Sequence, residues 1–100
     1  MIDWDRVSEL RTDFGEESFV EIVSMFISEV EEKLDLIENS DALDFSEDYH
    51  FLKGGAANLG FADLQNICGR AEASGSPDEL AEIQAVFVQS KAMFLAETQQ

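Results

Sequence analysis

The sequence predicts an all-α fold, an antiparallel up-and-down four-helix bundle with a short extra N-terminal helix. Apolar residues recur at i, i+3, i+4 and i+7 along most of the chain, the β-branched alternation of strands is missing, and proline occurs once, at Pro77. One hundred residues are enough for one core and too few for two, so a single domain over 1–100 is expected.

The first element, within "IDWDRVSELRTDFG", is a short amphipathic helix with Trp4, Val7 and Leu10 on one side, ending near Gly15. A long helix follows from about Glu16 to Asn39. Its stripe of Phe19, Ile22, Val23, Phe26, Ile27, Val30, Leu34 and Ile37 faces the core, while Glu21, Glu29, Glu31, Glu32 and Asp35 face water. Met25 and Leu36 lie off that stripe and read as scattered surface hydrophobes.

Ser40 or Asp41 offers an N-cap oxygen for the next helix, which carries Phe45, Tyr49, Leu52, Ala56 and Leu59 inward and ends at Gly60. The fourth helix, from about Phe61 to Ser74, buries Leu64, Ile67, Cys68 and Ala71 and stops at Gly75. "SPDE" then supplies an N-cap at Ser76, proline at the first helical position and Glu79 at N3. The last helix turns Leu80, Ile83, Val86, Phe87 and Phe94 inward.

The net charge is −16, from 22 acidic and 6 basic side chains, which opposes sustained contact with nucleic acid or an anionic membrane. Partners are expected to be proteins, and the chain a monomer. Eighteen uninterrupted apolar residues occur nowhere, and the N-terminus lacks the basic start and apolar run of a signal peptide. A soluble cytoplasmic protein is expected. The lone Cys68 has no partner for an internal disulfide and reads as a small buried hydrophobe.

The chemistry concentrates in "HFLKGGAANLG", residues 50–60, which holds the only histidine. Each helical residue advances about 100°, so His50 lies about 140° from the core-facing Phe45 and faces water. Leu43, Glu47, Gly54 and Ala57 fall near it, and Lys53 sits between the two faces. A hairpin bending at Gly60 brings Glu72 level with His50, where its carboxylate can take a hydrogen bond from one imidazole nitrogen and leave the other with a free lone pair. Two adjacent glycines cost a helix about 2 kcal/mol relative to alanine. Gly54, on the histidine's face, leaves room for a phosphoryl-sized group and a partner backbone; Gly55 points to the flank, where close helix approach is the simpler reason. Packing remains an alternative for both.

"HFLKGGAANLGFADLQNICGRAE", residues 50–72, closely resembles the histidine-containing phosphotransfer (HPt) domain, and "KGGAANLGF" looks like the phosphorylated domain of chemotaxis histidine kinases. The family order of His, apolar, Lys, Gly and a Gly ten after the His is met by His50, Lys53, Gly54 and Gly60. The resemblance implies that His50 is phosphorylated on Nε2, that Lys53 offsets phosphate charge, that Gly54 keeps the approach open and that Glu72 orients the ring. It further implies a non-enzymatic carrier without a cofactor of its own, served by a sensor histidine kinase and by receiver domains that bring their own Mg²⁺. Docking residues by the same analogy are Trp4, Val7, Leu10, Leu43, Phe51 and Ala57, although Trp4, Val7 and Leu10 serve equally well as a cap on the bundle. Many relatives carry Ser or Thr where Gly55 stands.

Glu47 and His50 also make a Glu-x-x-His pair, but a di-metal bundle needs a second pair and the chain has no second histidine, so no metal site is expected. Nothing in the sequence supplies the nucleophile and oxyanion pocket of a hydrolase. The competing reading is an acidic helical adaptor that binds receiver or kinase domains without being phosphorylated.

Overall fold

The computed structural model describes residues 2–98. The elements run α1 (Trp4–Glu38), α2 (Ser46–Leu59), α3 (Ala62–Ser74), a 3₁₀ turn (Pro77–Glu79) and α4 (Leu80–Thr98). Each helix packs on the next and α1 closes against α4, giving an all-α bundle 40 Å long and 20 Å across. Asp3 caps α1 by accepting from the Arg6 N–H at 3.2 Å.

Gly15 divides α1. Its φ of 77° and ψ of 161° break the helical path between residues 4–14 and 16–38, so the expected short helix and long helix follow one another with a sharp bend. A backbone in this region suits glycine because it has no Cβ.

The start of α2 differs from the sequence expectation. Neither Ser40 nor Asp41 caps it, and Phe45 lies just outside the helix. Asp44 does the work: its Oδ1 accepts from the Ser46 N–H at 2.9 Å and from the Ser46 hydroxyl at 2.6 Å, which holds its carboxyl below the usual pKa. The Phe45 N–H donates to the Gly75 carbonyl at 2.8 Å, pinning the start of α2 to the end of α3. At Gly75, with φ 66°, a Cβ would collide with the Asp44 carboxylate and the Ser46 hydroxyl. Seating this corner against α3 displaces the helix start from residues 40–41.

The other boundaries follow the sequence. Gly60 and Gly75 end α2 and α3 in left-handed conformations, and Ser76 Oγ accepts from the Asp78 N–H at 3.1 Å. Ile22, Ile27, Leu80 and Val86, expected to face inward, are half-buried and pack on the edge of the core.

Tyr49, Leu52 and Ala56 of α2 are fully buried, and the Tyr49 hydroxyl donates to the Ser76 carbonyl at 2.8 Å. Burying Leu52 alone contributes about 2 kcal/mol. Phe61 joins the helices as an aromatic hub, 5.2 Å from Phe94 and edge-on to Phe26 at 5.5 Å. With this face of α2 locked inward, the helical turn leaves His50 outward.

Candidate functional site

His50 stands on the exposed side of α2, its side chain 68% accessible. Its Nδ1 lies 2.6 Å from Oε1 of Glu72 on α3, and the other Glu72 oxygen, Oε2, lies 2.6 Å from the Lys53 ammonium. One carboxylate therefore joins the histidine and the lysine across the α2–α3 hairpin. The hydrogen bond from Lys53 is the main cause that lowers the Glu72 pKa; burial opposes it and the His50 hydrogen bond adds to it. Glu72 is thus a carboxylate at neutral pH and can only accept. Its partner Nδ1 must donate, so the neutral imidazole keeps its lone pair on Nε2, the nitrogen turned away from Glu72.

The lysine stem passes over Gly69 of α3, where a Cβ would stand in ordinary contact, 3.4 Å from Lys53 Cδ, so the path to Glu72 does not depend on a glycine there.

The two glycines after Lys53 differ. A Cβ at Gly54 would meet nothing within 4 Å, whereas one at Gly55 would lie 2.5 Å from the Phe26 ring of α1. Gly55 admits a close helix contact. Gly54 leaves open space one turn from His50.

The expected docking residues separate into four groups. Phe51 is 47% exposed beside His50, and Ala57 is half-buried on α2. Leu43 is exposed but belongs to the connection before α2, so its assignment by helical angle to the histidine's face does not hold. Val7 and Leu10 are buried in the core and offer no surface to a partner; they cap the bundle, because the short N-terminal helix lays its apolar side on the other helices. Trp4 stacks on Phe94 at 6.0 Å and keeps only part of its ring exposed.

Met25 and Leu36, which read as scattered hydrophobes, line concave surface. Met25, Phe14, Ile22 and Gly55 border a shallow groove of about 440 Å³ between α1 and α2. Leu36 and Phe51, with Glu29 and Glu32, border a smaller notch of about 180 Å³. The signal was present in the sequence: Ile22, Met25, Glu29, Lys33 and Leu36 form a second stripe at helical spacing beside the core stripe.

Among the described residues no helix is long and apolar enough to cross a membrane.

Comparison with known proteins places this arrangement. The model of the Hpt domain family matches residues 21–99, starting beyond the Gly15 bend. The phosphorelay intermediate protein YPD1 of Candida albicans is 37% identical over 81 residues, an alignment covering 75% of this chain and 44% of that protein. The chain thus spans less than half the length of this relative. No solved structure matches it. With the family match running over most of the chain and the lone histidine held outward by Glu72, the chain belongs to the Hpt domain family.

Proposed function

We propose that the chain is a phosphocarrier of a two-component phosphorelay, taking a phosphoryl group on His50 Nε2 and passing it to a receiver domain. The observation that carries this reading is the 2.6 Å contact of Glu72 with His50 Nδ1, which leaves Nε2 as the outward nucleophile. The Nε2 lone pair attacks phosphorus of a phospho-aspartyl receiver, the P–O bond to the aspartate breaks, and the aspartate leaves as a carboxylate. The Nδ1 proton stays on the ring, donated to Glu72, and onward transfer is the reverse of these steps with a second receiver.

Lys53, three residues from His50, supplies the nearby positive charge that a phosphoryl group needs in so acidic a chain. Gly54 provides clearance for the partner, and the grooves flanking α2 provide apolar surface, with Phe51 beside the histidine and Phe14 and Met25 farther along. Mg²⁺ and the catalysis belong to the receiver or the kinase, so the chain carries the group without being an enzyme. It does so as a cytoplasmic monomer. Similarity to a phosphorelay intermediate supports this reading over the unphosphorylated adaptor.

The test is to charge a receiver domain with acetyl phosphate and Mg²⁺, add the chain, and follow the phosphoryl group. An acid-labile, alkali-stable adduct absent from His50→Ala is expected; an adduct that survives His50→Ala overturns the reading.

A further inference from the structure

Outside the His50–Lys53–Glu72 cluster, one cation is built into the site's surroundings. Lys33 of α1 forms an ion pair with Asp48 of α2 at 3.0 Å, and both side chains are about three-quarters buried. The same ammonium lies 5.1 Å from the centroid of the Phe51 ring, within cation–π range. Asp48 and Phe51 are one helical turn apart on α2 and flank His50 in sequence. One lysine thus ties two residues beside the histidine to the opposite helix. Phe51 nevertheless keeps nearly half its surface exposed, at the notch it shares with Leu36.

We propose that Lys33 is a positioning residue for receiver docking: it holds the Phe51 ring in a fixed place beside His50, so that the receiver meets a preset apolar contact. The inference rests on the phosphocarrier reading. An exposed phenylalanine samples several rotamers, and ordering it on binding weakens association; a ring held before the encounter avoids that cost. Asp48 keeps the ammonium on the bundle side of the ring, and the outward part of the ring stays available to the partner. Lys33 acts through Phe51 and not through the imidazole. It therefore governs how much receiver is needed, not how fast the docked pair reacts.

The experiment measures the rate of phosphoryl transfer from an acetyl-phosphate-charged receiver to the full chain as receiver concentration is varied. Lys33→Met keeps the apolar stem and removes the charge. It is expected to raise the half-saturating receiver concentration about fivefold, in the range of an aromatic interface contact, with the maximal rate within about twofold. Lys33→Arg restores the wild-type value. Phe51→Ala gives a shift at least as large, and adding Lys33→Met to Phe51→Ala changes little more, because the lysine works through the ring. The ring proton resonances of Phe51 move in Lys33→Met while the helical circular dichroism does not. Normal half-saturation in Lys33→Met, or full additivity with Phe51→Ala, overturns the inference while leaving the phosphocarrier reading in place. Absence of transfer to the wild-type chain removes both.

Discussion

Gly54 and Gly55 are neighbours on one helix with opposite surroundings: a methyl at Gly54 would stand in open space, and a methyl at Gly55 would press into the Phe26 ring. Nothing in the free protein requires the first glycine. Gly54→Ala should therefore stabilise the fold by about 1 kcal/mol, the helix-propensity difference. If the gap serves a docking partner, the same variant transfers phosphoryl groups more slowly. Denaturant midpoints and transfer rates measured together decide it, since a stabilised variant with unchanged transfer would show that the gap is not used.

Gly55→Ala should act in the opposite direction. Phe26 would have to move to admit the methyl, and overpacking of this kind costs about 1–3 kcal/mol. A lower urea midpoint is expected; a midpoint at or above that of the wild type would show that the α1–α2 contact is looser than described.

Glu72 gives a pH signature. Its pKa is lowered in the folded chain, chiefly by Lys53, from an ordinary value of 4.5. A group lowered in this way contributes stability that is fully present above its unfolded pKa and is lost as pH falls through the folded one. Wild-type stability should thus decline more steeply below about pH 5 than that of Glu72→Gln, which has nothing to titrate there. Urea midpoints across that acid range test the sign; parallel curves would mean that the carboxylate gains nothing from its two partners.

Lys53 spends the free state on Glu72, 2.6 Å away, and its stem lies over Gly69 at the surface. Lys53→Ala should leave the helical content intact and slow transfer about tenfold, or ~1.4 kcal/mol in the barrier. Loss of the fold would place the lysine in the architecture instead of the chemistry.

Cys68 is fully buried, and burial pushes its thiol pKa up to about 12. The thiolate is the reactive form, so alkylation by iodoacetamide at pH 8 should be negligible in the native chain and rapid in urea. Fast native labelling would contradict its place in the core.

The helices and the facing of His50 were legible because they rest on local periodicity: Tyr49, Leu52 and Ala56 fix the inward face, and His50 follows by rotation. Glu72 was legible from the hairpin at Gly60, a bend that sets level positions on two adjoining helices. Where contacts cross between distant segments, the sequence is silent. Asp44 caps α2 because Gly75 brings the end of α3 against it, and neither partner reveals the other. Val7 and Leu10 carry a helical pattern that fits a docking face as well as a buried cap, and only packing against the bundle separates the two. Lys33 reaches Asp48 and Phe51 across fifteen or more residues, and an isolated lysine on an acidic helix gives no hint of it.

The most direct test of the site is the identity of the phosphorylated nitrogen. After transfer from a charged receiver, phosphorus and nitrogen NMR of the chain should place the phosphoryl group on Nε2 of His50, with the proton retained on Nδ1 beside Glu72. A phosphoryl group on Nδ1, or on any other residue, would contradict the arrangement in which Glu72 holds one nitrogen and presents the other.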